Sequence, residues 1–138
     1  MKYLKLSVVI LSLLFITGCG NVSKFNYTIK TSNENVTIEF KNKDGYKIEE
    51  GYPFNIKKDD TNTTLEFITS VGYEYYEGIV RTDSETTLID DSKDLLYKYK
   101  NEYVYLIDIN DVDAYAMLKS SSEDNIKYIY NNLKIKKA

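Results

Sequence analysis

The side chains best suited to chemistry in this chain are carboxylates. Asp90, Asp91 and Asp94 crowd one polar stretch and Asp59-Asp60 another. Paired acids of this kind can flank a glycosidic bond or hold a hard cation, and they make Asp90, Asp91 and Asp94 a candidate weak cation site. The plainer reading, which the sequence favours, is a solvated acidic loop, because adjacent acids are common in polar turns. The run Asp108-Ile109-Asn110-Asp111-Val112-Asp113 has the oxygen density of a calcium loop, but its spacing is wrong. Counted from Asp108, an EF-hand needs an oxygen ligand where Val112 stands, Gly at Asp113 and Glu at Lys119. A hairpin turn between Ile109 and Ala114 accounts for it. The chain has no histidine, which excludes Ser-His-Asp and Cys-His catalysis and any histidine-ligated zinc. Its glycines are scattered singly, so none forms a phosphate-cradling loop. No catalytic residue and no metal ligand set emerges.

Aromatic side chains are the second resource. Tyr73, Tyr75 and Tyr76 form the densest cluster, and a tyrosine joins a large flat area to a polar tip, the combination that stacks on sugar rings or grips a protein partner. They are the candidate ligand or partner surface. Core packing competes for the same residues, as it does for Tyr97, Tyr99, Tyr103 and Tyr105, because there is no tryptophan to fill the interior.

What must position these groups begins with the N-terminus. Lys2 and Lys5 precede an apolar run from Leu6 to Ile16, closed by Thr17 and Gly18. That run is shorter than the ~20 apolar residues that a membrane-spanning helix needs, and it fits an export signal. The sequence Ile16-Thr17-Gly18-Cys19 resembles the lipobox of bacterial lipoproteins. The resemblance implies cleavage between Gly18 and Cys19 and a diacylglycerol group on the Cys19 thiol; no cofactor besides that lipid is expected. Two acyl chains, at roughly 0.8 kcal/mol per buried methylene, hold a protein stably on a bilayer where one does not. The expected location is the extracytoplasmic face of the cell membrane.

Residues 1–18 then form the signal peptide, 19–24 a lipidated start and short tether, and 25–138 a single domain. The signal contains two of the 18 basic residues and none of the 21 acids, so the mature part has 16 basic against 21 acidic side chains. Nucleic acid is not expected as a partner, since phosphate binding needs a basic footprint. With Cys19 lipidated no second cysteine is left for a disulfide. Arg81 is the single arginine among many lysines, and Asn, Ile and Tyr are abundant; this composition reads as the bias of an AT-rich genome such as that of a low-GC Gram-positive bacterium.

Alternation of apolar and polar residues predicts strands at Phe25–Lys30 and Val36–Lys41, with the step Asp44-Gly45 turning the chain after the second. Tyr46–Glu50 and Tyr52–Ile56 read as short edge segments, because Pro53 cannot donate to a sheet. Thr63–Val71 and Tyr73–Val80 read as a hairpin, the second strand on its β-branched and aromatic content. Thr82–Asp94 reads as a long loop, and Leu95–Tyr99 as a strand or a helical turn. Tyr103–Ile109 and Ala114–Lys119 form a further hairpin. A C-terminal helix follows, capped among Ser120, Ser121 and Ser122, with Ile126, Ile129, Tyr130 and Leu133 at helical spacing and Lys134, Lys136 and Lys137 at its end.

The expected fold class is α+β, a mainly antiparallel sheet with a C-terminal helix packed on one face. Thr37-Ile38-Glu39-Phe40, Asp44-Gly45-Tyr46 and the final Tyr130-Asn131-Asn132-Leu133-Lys134-Ile135 resemble the PsbP-like sandwich of small secreted bacterial proteins. The chain departs from that pattern in lacking the proline before the glycine and in having Tyr46 where tryptophan is usual. The resemblance implies a binding or assembly-assisting scaffold. The expectation is a membrane-anchored, non-catalytic binding or accessory protein of the cell envelope with an envelope protein as partner. A glycan hydrolase using acidic residues and an immunity or phage-exclusion lipoprotein are the alternatives.

Overall fold

The computed structural model describes residues 21–138. The lipobox, the cleavage point after Gly18 and Cys19 lie outside the described residues. The described chain runs β1 (Asn21–Ile29), β2 (Glu34–Asn42), β3 (Lys47–Glu49), β4 (Phe54–Lys58), β5 (Thr61–Ile68), α1 (Ser70–Thr82), β6 (Thr86–Asp90), β7 (Leu95–Tyr99), β8 (Glu102–Asp108), β9 (Tyr115–Ser120), α2 (Glu123–Asn132) and β10 (Leu133–Lys137). Strand outweighs helix, so the described residues are mostly antiparallel β with two helices.

The strands form two sheets. One has three strands in the order β1-β2-β10, and the other seven in the order β3-β4-β5-β9-β8-β7-β6. Every pairing is antiparallel. Period-2 alternation divides the side chains of the large sheet between its two faces. Leu65, Leu96, Tyr105, Ala116 and Leu118 point to one face, where they meet Ile29, Val36, Ile38 and Phe40 of the small sheet and Ile126 and Ile129 of α2. Leu95, Tyr97, Val104, Leu106 and Met117 point to the other, where Val80, Tyr73 and Tyr76 of α1 cover part of them. One face of the large sheet is therefore sealed by a second sheet and a helix, and the opposite face is covered in part by a single helix.

Several elements differ from the sequence reading. Residues 21–24, expected in a tether, already pair with β2 as part of β1. Tyr73–Val80 is helical. Its buried or half-buried residues Tyr73, Tyr76 and Val80 recur three and four apart, the spacing that puts them on one helical face. The Thr69 side chain caps the start by accepting the Gly72 N–H at 3.1 Å. The strand propensity of Tyr, Ile and Val reflects how they pack rather than a backbone preference, and here they pack on a sheet as a helix.

β4 is not an edge segment. It starts directly after Pro53 and pairs with β3 on one side and β5 on the other, while β3 is the edge. Within the expected loop at Thr82–Asp94, residues 86–90 pair with β7. The C-terminal helix forms with Ser122 as its cap, accepting the Asn125 N–H at 3.2 Å, but it stops at Asn132. Leu133, Ile135 and the three lysines continue as β10, with Ile135 opposite Ile38 of β2. The open edge of β2 offers that segment a ladder and an apolar neighbour, which outweigh one further helical turn.

The turns follow their chemistry. Asp44 and Gly45 hold φ of 56° and 85° between β2 and β3, and the Tyr46 N–H closes the turn on the Lys43 carbonyl at 3.0 Å.

Candidate functional site

α1 lies across the large sheet without covering it, and the uncovered part is where aromatic groups reach solvent. Tyr73 is spent on docking: its ring stacks on Tyr115 of β9 at 4.2 Å and 20°. Burial, followed by the neighbouring Glu77 carboxylate, raises its phenol above the ordinary value. Tyr76 is half-buried, whereas Tyr75 is 66 % exposed. Their ring centroids lie 5.4 Å apart at an interplanar angle of 74°, so the two rings form a corner. The structure thus splits the predicted cluster: Tyr75 and Tyr76 wall a cleft, and Tyr73 is packing.

The floor of the cleft comes from three neighbouring strands. Tyr97 and Tyr99 of β7 stand opposite Val104 and Glu102 of β8, and Val104 in turn stands opposite Lys119 of β9. A two-residue turn sets this register, with Lys100 at φ 55°. Together with Tyr75, Tyr76 and Ile79 from the helix these side chains enclose about 310 Å³. Tyr97 is 2 % exposed and forms the floor. Burial, then Tyr76 and Glu102, pushes its phenol far above the ordinary value, so it stays a neutral hydrogen-bonding group. Lys100 lies over the Tyr99 ring, its Nζ 5.2 Å from the centroid. Glu102 and Lys119 form no ion pair within 4.0 Å among the described residues. The cleft therefore presents one carboxylate and one ammonium, both unspent.

The acidic candidates do not converge. Asp94 is 8 % exposed; its Oδ1 accepts the Asp108 N–H at 3.1 Å and its Oδ2 accepts the Tyr130 hydroxyl at 2.5 Å. Asp90 lies at the exposed end of β6, accepting the Ser92 N–H at 2.9 Å; that bond and the Ser92 side chain lower its carboxyl below the ordinary range. Asp91 is exposed. Asp94 thus works as an internal brace between β7, β8 and α2 while its two neighbours face water. No group of three acids, histidines or cysteines among the described residues is placed to hold a metal ion. The turn after Asp108 closes as a hairpin, the Val112 N–H bonding the Ile109 carbonyl at 3.3 Å.

A larger opening, about 550 Å³, lies between the start of β1 and the turn into β3, walled by Asn21, Ser23, Asn42, Lys43, Tyr46 and Lys47. Its one ring is already committed, since Tyr46 stacks on Tyr128 at 3.9 Å and donates to Asn125 at 2.8 Å. It is a broad, open surface in which no opposed charges meet, and the smaller aromatic cleft is the better candidate.

Glu102 and Lys119 escape sequence reasoning, and Tyr97 and Tyr99 figure there only as packing. The signal that could have found them is the hairpin Tyr97–Val104, in which a two-residue turn forces Tyr99 opposite Glu102. Comparison with protein-family models, curated proteins and solved structures found no match.

Proposed function

We propose that this chain is a lipid-anchored binding or accessory protein of the cell envelope, held on the extracytoplasmic face of the membrane through Cys19, and that the cleft between α1 and the large sheet is its binding surface. The observation that carries the binding role is Tyr75, a large ring left 66 % exposed beside a cleft floored by two further tyrosines. An aromatic group left in water beside a concave surface is a common mark of a recognition site. The lipobox residues Ile16, Thr17, Gly18 and Cys19 support the anchor. The resemblance to PsbP-like scaffolds, and the absence of histidine from the chain, favour binding over catalysis.

The test is surface cross-linking of the protein in its own cells, with mass spectrometry of what co-purifies and with Cys19→Ser as the control. The expected result is that the native protein partitions with the membrane and yields a reproducible partner, and that Cys19→Ser releases it from the membrane and loses that partner. A Cys19→Ser protein that stays in the membrane fraction overturns the anchor. A partner set unchanged by Tyr75→Ala overturns the cleft as the binding surface.

A further inference from the structure

Resting on that reading of the cleft, we infer that its ligand carries an alkylammonium group beside an anionic group, as phosphocholine and betaines do. Three features of the cleft lead there. Tyr75 and Tyr76 meet at 74° with centroids 5.4 Å apart. A sugar ring stacks on a flat face, whereas two rings at a corner wrap a compact, rounded group, and the faces of tyrosine rings attract cations. Second, Glu102 stands directly across the strand pair from Tyr99 and lines the same cleft as Tyr75 and Tyr76, which places a carboxylate in the cleft whose corner would carry the cation. The Tyr99 ring is already covered by the Lys100 ammonium, 5.2 Å from its centroid, which leaves the Tyr75–Tyr76 corner to take the ligand's cation.

Third, the opposite charge is present at a matching distance. Val104 pairs with Lys119, so Glu102, two residues before Val104 on the same face, is the diagonal neighbour of Lys119. Diagonal neighbours across antiparallel strands are separated by about 7–8 Å between backbones, room for a small zwitterion to lie between them with its ammonium toward Glu102 and its acid toward Lys119. The volume of about 310 Å³ is enough for a headgroup-sized ligand and too small for a long oligosaccharide. The mature chain is acidic, which further favours a ligand with a cationic part.

The experiment uses the lipoprotein purified from its own membranes in a polyoxyethylene detergent. Binding of phosphocholine, glycine betaine, choline and a neutral cello-oligosaccharide is measured by calorimetry, and phosphatidylcholine vesicles are tested by co-sedimentation. Phosphocholine or betaine is expected to bind, with choline weaker. Tyr75→Ala and Glu102→Gln should each weaken phosphocholine roughly 3- to 30-fold, the range of a cation–π contact. Lys119→Gln should weaken phosphocholine and leave choline unchanged. All three residues are exposed or half-exposed, and circular dichroism is the check that each variant folds. Binding to soluble phosphocholine alone assigns a free ligand, and binding to vesicles as well assigns a lipid headgroup; both support the inference. Binding of the neutral oligosaccharide without competition from phosphocholine overturns it while leaving the cleft a binding site. Binding of none of these probes overturns it as well; if Tyr75→Ala also leaves the cellular cross-links unchanged, the cleft falls with it.

Discussion

Tyr130→Phe deletes one oxygen and tests the brace that ties α2 to the large sheet. The Asp94 carboxylate has two partners, the Asp108 N–H at 3.1 Å and the Tyr130 O–H at 2.5 Å, in a position only 8 % exposed. A hydrogen bond to a charged group contributes about 1.5–3 kcal/mol, and its loss leaves a desolvated carboxylate oxygen without a partner. The phenylalanine ring keeps the stack on Tyr105, whose centroid lies 4.0 Å from that of Tyr130 at 5°, so the loss is confined to the hydroxyl. The expected cost is about 1.5–3 kcal/mol in urea unfolding followed by circular dichroism. Asp94→Asn retains an acceptor for the Asp108 N–H and carries no charge, so in that background Tyr130→Phe should cost roughly 1 kcal/mol or less. Equal costs in the two backgrounds, or a Tyr130→Phe protein within about 0.5 kcal/mol of the parent, would refute the brace.

The same contact has an alkaline signature. Burial, then the bond to Asp94, raises the Tyr130 phenol above its usual 10.0. The folded state thus holds a proton that the unfolded chain gives up above that pH. This contribution to stability is complete below about pH 10 and is lost as pH rises from there toward the folded-state value. Tyr130→Phe should remove part of the alkaline decline. Tyr97, raised mainly by burial, supplies part of what remains.

Three further outcomes test the helix beside the site and the fold behind it. Gly78 lies within α1, and a Cβ there would meet nothing within 4 Å, so Gly78→Ala should stabilise the protein by about 0.5–1 kcal/mol in denaturant unfolding; a destabilised variant would refute the helix. Hydrogen exchange should find protected alternate amides through Leu133–Lys137, because that segment is laddered to β2; exchange at the rate of a free tail would refute β10. Leu118→Ala, at a fully buried position between the sheets, should cost about 2–5 kcal/mol, and a loss under 1 kcal/mol in the same assay would mean that the two sheets do not share this core.

The strands bordered by clear turns were legible because their period was unambiguous. Val36, Ile38 and Phe40 alternate with Thr37, Glu39 and Lys41 and end at Asp44-Gly45, so face, register and turn agree. The N-cap of α2 was equally plain, since Ser122 stands before Glu123 and Asp124. The end of α2 was not: Ile126, Ile129, Tyr130 and Leu133 keep helical spacing past the point where the chain leaves the helix. What decides there is the vacant edge of β2, more than 90 residues away in the chain, and no local pattern records it.

The candidate site was hidden by the same kind of ambiguity. Tyr73 to Val80 satisfies a strand by content and a helix by spacing, and the tie is broken by the apolar face of Leu95, Tyr97, Val104 and Leu106 waiting beneath it. As a strand, the segment would send Tyr73 and Tyr75 to one side and Tyr76 to the other. As a helix it puts Tyr73 and Tyr76 against the sheet and leaves Tyr75 at the rim, where it can meet Tyr99, Glu102 and Lys119 across a cleft. The site is therefore a product of tertiary structure: its walls come from one helix and three strands, and a change in how that helix sits is enough to create or destroy it. Substitutions that loosen α1 without touching the cleft, such as Thr69→Ala at its cap, should weaken binding together with the helix, whereas Tyr75→Ala should weaken binding and leave the helix intact.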